Sequence, residues 1–168
     1  MSEPTATALR MWGQVRDAPT IPWDEVRARL ESCPEYWLVT VQPDGMPTPR
    51  PVWGVWLDDR LLLSVGSTSH WRGIETHPQV AVHLPDPLGV VIVAGRARKA
   101  TGDEAFFRRV VDRYNPKYSW GFEPTEPMVV DGVMEVLPST VLAWTTVGVE
   151  ESAPDMTFPT RAARWTFT

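Results

Sequence analysis

The spacing of hydrophobic positions changes several times along the chain, and each change marks an element. Over 22–32, Trp23, Val26 and Leu30 recur at helical spacing with charged residues between them, so an amphipathic helix is expected to start at Pro22 and stop before Pro34. From Tyr36 the period becomes two. Trp37, Val39 and Val41 face one way and Tyr36, Leu38 and Thr40 the other, as in a strand buried on at least one face. Pro43-Asp44-Gly45 supplies turn chemistry, with proline presetting φ and glycine tolerating a positive one. The return strand, over 48–57, carries Pro47, Pro49 and Pro51 in or beside its first half. Proline has no donor for a ladder, so that half belongs at an edge, a barrel rim or a bulge. Asp58-Asp59 turns the chain again into a second arm over 60–65.

Gly66-Ser67-Thr68-Ser69 breaks the strand, and Ser69 or Thr68 is placed to cap a short helix over 70–76 that Pro78 ends. Strands follow over 79–84 and 90–98, and the apolar residues on both faces of the second make it a central strand. Thr101-Gly102-Asp103-Glu104 reads as a capping box ahead of Phe106, Phe107, Val110, Val111 and Tyr114, a helix ending near Tyr114. The aromatic, proline-containing stretch 115–127 is expected to be an irregular loop, and 128–137, 140–145 and 164–167 closing strands. Two tight hairpins in succession and few helices predict a mainly β protein, an antiparallel barrel with a few peripheral helices. One domain over 1–168 is expected, with 1–20 as a flexible or partner-contacting arm.

Composition narrows the partners. A net charge of −5 without a run of Lys or Arg offers no electrostatic ground for a nucleic-acid or anionic-membrane surface, so small molecules are expected instead. No apolar run approaches the roughly 20 residues of a membrane helix. Residues 1–8 lack a basic stretch followed by an apolar one, which leads to an expected cytoplasmic location. Cys33 is the single cysteine, so no internal disulfide or cysteine metal cluster can form, and it reads as a small packed hydrophobe.

A phosphate needs backbone N–H donors, hydroxyls and a cation, and Ser67, Thr68, Ser69, His70 and Arg72 offer that set at a helix start. An ordinary serine-rich cap is the alternative. An antiparallel neighbour brings Arg50, Val52 and Trp53 beside Ser64, Val65 and Gly66. His70, His77 and His83 invite a metal reading, but no motif supplies further ligands, and no metal is assigned. Of the nine tryptophans, Trp23, Trp37, Trp56 and Trp144 fit core positions, whereas Trp53, Trp71 and Trp120 fall in the presumed site segments, where aromatic walls suit a planar ligand.

The order of these pieces carries a resemblance: strand, Asp-Gly turn, Arg50-Pro51-Val52 strand, short hairpin, Ser/Thr turn, short helix, then a valine-rich strand ending in Gly95-Arg96-Ala97. Over about 37–99 it is similar to the flavin and deazaflavin split-barrel proteins, the pyridoxamine-phosphate-oxidase-like superfamily. Residues 114–120 and 164–167 look like elements of its flavin/deazaflavin oxidoreductase branch. The resemblance implies a split β-barrel homodimer holding FMN or the deazaflavin coenzyme F-420 in a groove at the dimer interface. Arg50, Pro51, Val52 and Trp53 would contact the ring or ribityl chain, Ser64 the ring edge, and Ser67, Thr68, Ser69, His70 and Arg72 the phosphate. The family commonly carries an Arg-Lys pair where Ser69 and His70 stand, so the usual cationic grip is absent. Val90 stands near a polar cofactor contact of the oxidase branch, which argues against pyridoxamine-phosphate oxidation itself. The implied activity is hydride transfer to or from a small organic substrate, with a non-catalytic flavin, deazaflavin or haem carrier on the same fold as the alternative. No catalytic side chain is assigned; Tyr118, His70 and Arg164 are the candidates for polarising a substrate. Arg96, Arg98, Arg108, Arg109 and Lys117 are available for a groove that would take the acidic tail of the deazaflavin.

Overall fold

A computed structural model of the protein describes residues 4–11, 14–15, 21–66, 68–145 and 161–168. The strands are β1 (Thr5–Thr7), β2 (Arg10–Met11), β3 (Gln14–Val15), β4 (Tyr36–Val41), β5 (Pro47–Leu57), β6 (Arg60–Ser64), β7 (Gln79–His83), β8 (Gly89–Lys99), β9 (Val133–Thr145) and β10 (Arg161–Thr166). The helices are α1 (Trp23–Ser32), α2 (Thr68–Thr76), α3 (Glu104–Tyr118) and α4 (Pro127–Gly132). Neighbouring strands run β9-β6-β5-β4-β7-β8, and a further β8–β9 pairing closes them into an antiparallel barrel, as the alternating strands and tight turns predict. β9 is long enough to serve three neighbours. Val133–Val136 pairs with β6, Thr140–Thr145 pairs with β10 on the same side, and its other edge follows β8. β1 pairs with the outer edge of β10.

Tyr36, Leu38, Leu61, Leu63, Val91, Val93, Met134 and Val136 fill the barrel, and α1 adds Trp23, Val26 and Leu30. Trp23 packs against Trp56, Trp165 and Phe167 at ring distances of 6.0, 5.6 and 5.3 Å. A second apolar layer lies outside the wall, where Val55, Leu62 and Val133 meet Phe107, Val110, Val111 and Tyr114 of α3 and Val129 of α4. Asp58 and Asp59 take φ of 52° and 54°, the left-handed pair that a two-residue hairpin turn needs.

The prolines of β5 are accommodated where the pattern required. Residues 47–52 pair only with β4, and pairing with β6 begins at Trp53. Pro47, Pro49 and Pro51 share one parity, so the other parity makes the ladder to β4 and their missing donors face the side without a neighbour.

Other elements differ from expectation. α2 begins at Thr68, so Thr68 and Ser69 are its first residues, not its cap, and His77 lies past its end with its N–H on the Gly73 carbonyl at 2.7 Å. The cap of α3 is Asp103, whose side chain accepts from the Phe106 N–H at 2.8 Å, and Thr101 takes no part in it. α3 does not end at Tyr114. It passes through Pro116 to Tyr118 because proline there removes one late hydrogen bond while Tyr118 extends the buried face of Phe107, Val110, Val111 and Tyr114. Residues 127–132 are helical, with Pro127 opening the helix, and 133–145 is one strand instead of two. Pro138 is tolerated there because it falls after the last β6 partner and before the first β10 partner, opposite the bulge at Ala94/Gly95. Trp37 and Trp144 are half-buried on the outer wall instead of in the core, and Trp37 stacks on His83 at 6.2 Å.

Glu135 is buried in the outer layer and holds two cations, Arg60 Nη1 at 2.7 Å and Arg98 Nε at 2.6 Å. Both guanidinium groups keep contact with water, so the carboxylate alone carries the desolvation cost. The double variant Arg60→Ala/Arg98→Ala, which strands that charge, is expected to lose about 3–5 kcal/mol in urea unfolding. Glu135→Leu, which removes it, should lose clearly less.

Candidate functional site

The barrel opens where strands end out of step. The last β4–β5 pair is Tyr36 with Val52, and the β5–β6 ladder stops at Trp53 with Ser64. Around this parting lies a cleft of about 420 Å³, lined by Glu35, Arg50, Pro51, Val52, Trp53, Ser64, Val65, Gly66 and His70. That volume falls within the range of small-molecule sites, roughly 300–1,000 Å³. Arg50, Pro51, Val52, Trp53, Ser64 and His70 from the sequence-based set thus come together. Arg72 is exposed and is not among the lining residues. Thr68 and Ser69 are placed only as the opening of α2, and Ser67 lies outside the described residues.

His70 is the buried polar member of the cleft wall, 1% exposed. Its Nδ1 lies 2.9 Å from the Thr40 hydroxyl, and among the described residues its Nε2 has no partner. Burial, and next the charge of Arg50, push the imidazole below its ordinary pKa, so the ring favours the neutral form. Glu35 and Arg50 bring opposite charges to the lining, and among the described residues neither forms an ion pair.

The end of α3 fixes the other wall. At Gly54, β4 has already ended, and the backbone groups of Gly54 are taken up by side chains instead. Tyr118 Oη accepts the Gly54 N–H at 3.0 Å and donates to its carbonyl at 2.9 Å. Lys117 Nζ donates to the same carbonyl and to Tyr36 Oη, each at 2.9 Å. Glycine is required here, since a Cβ would lie 2.5 Å from the Leu62 carbonyl oxygen. Desolvation lowers the Lys117 pKa to about 8 and raises that of Tyr118 to about 12. Trp53, 45% exposed, stacks on Tyr118 at 5.1 Å and 14°. Tyr118 leans on Tyr114 at 4.6 Å, and Trp120 stacks on Phe122 at 5.1 Å, so an aromatic shelf continues from the cleft.

Several expected contributors are elsewhere. Arg98 is held by Glu135, Arg108 by Glu104 and Glu123, Arg109 by Asp58, and Lys117 by Gly54 and Tyr36, so they do not assemble into a basic groove on this cleft. Arg164 lies on β10 between β1 and β9. Among the described residues no three His, Cys, Asp or Glu gather as metal ligands. Glu35 and Thr40 carried no sequence signal. Lys117 and Tyr118 were named from the sequence for other roles, a basic groove and a substrate contact; their bonds to Gly54 could be anticipated only by continuing the helical spacing from Tyr114 across Pro116.

The profile of the family described as pyridoxamine 5'-phosphate oxidase matches residues 22–159. The chain belongs to this family. Among solved structures, an F420 reductase is 27% identical, with 68% of this chain and 94% of that one aligned at a TM-score of 0.52. A conserved hypothetical protein from Mycobacterium tuberculosis aligns over 84% of this chain and 94% of its own at 19% identity and a TM-score of 0.65. A haem-binding protein from Mycobacterium smegmatis aligns over 74% of this chain and 55% of its own at 23% identity and a TM-score of 0.54. The last two likenesses show a shared fold. No curated protein matches the chain. Among the described residues no helix is long and apolar enough to cross a membrane.

Tyr118→Phe leaves the Gly54 N–H without its acceptor, and a loss of about 1–3 kcal/mol is expected in chemical unfolding. Lys117 is less basic in the folded state than its ordinary value of 10.5. The unfolded chain therefore holds the extra proton between pH about 8 and 10.5, and this group's contribution to stability rises across that interval. Lys117→Met should remove the rise, read as the wild-type minus variant difference in unfolding free energy against pH.

Proposed function

We propose that the cleft holds a flavin-type cofactor, FMN or the deazaflavin coenzyme F-420, and that the protein is a cytoplasmic oxidoreductase acting on a small organic substrate. The cofactor, when bound, supplies hydride transfer. The observation that carries the reading is the joining, in one cleft, of an exposed aromatic plane backed by a second ring, Trp53 on Tyr118, with Arg50 and the unpartnered Nε2 of His70. Membership of the pyridoxamine 5'-phosphate oxidase family and the likeness to an F420 reductase support it.

The residues present fit such a group. Trp53 offers an apolar face to a flat ring. Arg50 and His70 offer charge and a hydrogen-bonding atom to an anionic substituent, and Ser64 offers a hydroxyl at the cleft wall. The Tyr118 and Lys117 contacts to Gly54 hold the strand that carries Arg50 to Trp53 in place, so the site is organised before a ligand arrives. A homodimer is part of the proposal. Trp53, Trp120 and Met128 are 45%, 50% and 65% exposed, and Trp53 and Trp120 belong to the cleft and the shelf beside it.

Titrating the purified protein with FMN and with coenzyme F-420, followed by tryptophan fluorescence, tests the reading. At least one should bind saturably, and Arg50→Ala should weaken that binding by about tenfold or more, the scale of one charge-assisted contact. Failure of both to bind, or binding unchanged in Arg50→Ala, would overturn the site assignment. Reduction of the bound cofactor with no turnover of any acceptor would point to a carrier.

A further inference from the structure

We propose that His70 couples anion capture in this cleft to proton uptake: an anion seated against Arg50 and the start of α2 brings a proton from solvent onto Nε2, which then donates to it. The proposal deepens the cofactor reading and rests on it for the identity of the natural ligand. Three independent features meet at the position. The Nε2 atom is buried and has no hydrogen-bond partner among the described residues, a state that native proteins rarely leave unsatisfied. Arg50 lines the same cleft and has no ion pair among the described residues. The helix that carries His70, nine residues long, starts two residues earlier, so its first N–H groups and positive dipole end lie beside the ring.

Thr40 sets the ring for this task. With Nδ1–H donating to the Thr40 hydroxyl, Nε2 presents a lone pair. A lone pair repels an anion. Proton uptake converts the ring to imidazolium, whose Nδ1–H keeps its bond to Thr40 while Nε2–H donates to the anion, and the anion balances the added charge. The free ring resists protonation because it is buried beside Arg50. Of the other charged groups near α2, Arg72 is exposed and is not among the cleft-lining residues. β4 contributes none, since Tyr36–Val41 contains no charged residue. Arg98 and Lys99 of β8 line a separate groove with Trp71, Ile74 and Glu75. Glu35, on the cleft wall, opposes the anion and sharpens the need for the proton.

The sign follows from linkage. A bound anion raises the His70 pKa above its depressed free value, so affinity grows as pH falls between the bound and the free value, by up to tenfold per pH unit, and levels off below the free value. Calorimetry in two buffers of different ionisation heat, with FMN, inorganic phosphate and sulfate as probes, counts the protons. Sulfate does not titrate in this range, so its pH dependence reports the protein alone. About one proton per sulfate is expected between the two pKa values, with the His70 ring nitrogens moving from neutral to imidazolium shifts in 15N NMR of the wild-type protein. His70→Gln should bind sulfate with no pH dependence. Absence of binding by all three probes, pH-independent sulfate affinity in the wild type, or proton uptake that persists in His70→Gln would each overturn the proposal. If sulfate and phosphate protonate His70 while FMN and coenzyme F-420 fail to bind, proton-linked capture stands and the cofactor reading falls.

Discussion

A strand that outlasts its neighbour must find partners for its exposed backbone, and this requirement at Gly54 organises the protein. β5 continues past the end of β4, leaving an N–H and a carbonyl that the ladder no longer satisfies. An unpaired buried backbone group costs about as much as a lost hydrogen bond. The last turn of α3 supplies Tyr118 and Lys117, and in doing so it anchors the helix to the barrel, backs Trp53 with an aromatic ring and holds the cleft-lining part of β5 in position. The cleft and the placement of α3 are two results of one unsatisfied strand segment.

Charge is distributed unevenly around this arrangement. In the outer layer, Glu135 is buried and doubly paired, and on the surface Arg108 and Arg109 are tied to acidic neighbours. Such pairs neutralise charge locally and leave little for a ligand. Arg50, Glu35 and His70 are different: they share one concave wall, and among the described residues the buried Nε2 of His70 keeps an unfilled hydrogen-bonding capacity. A buried polar atom without a partner is a standing cost, and its place beside a guanidinium that forms no ion pair among the described residues is the physical reason to read the cleft as a recognition site.

Much of the barrel was legible in the sequence because its signals are local. The period-two run from Tyr36 to Val41, the Pro43-Asp44-Gly45 and Asp58-Asp59 turns and the prolines of β5 each constrain backbone geometry without reference to distant residues. The gathering of Arg50 to Trp53 with Ser64 follows from the same hairpin, since the turn sets its register. Pro116 misled for a complementary reason. A local rule ends a helix at proline, but the burial of Tyr118 and its hydrogen bonds to Gly54 outweigh one missing donor near the helix end. The gap expected between strands over 128–137 and 140–145 contains Pro138, which sits inside one strand where β9 changes partners.

The sequence by itself determined the strands from β4 to β8, the turns between them and the edge character of the early part of β5, because periodicity and proline or glycine chemistry act over a few residues. Only the tertiary structure decided that His70 would be buried against Thr40, that Glu35 would join the cleft, that Arg72 would stay outside it and that Lys117 would secure Gly54 instead of facing a ligand. These outcomes depend on which groups barrel closure leaves without partners, and that is a property of contacts between residues far apart in the chain.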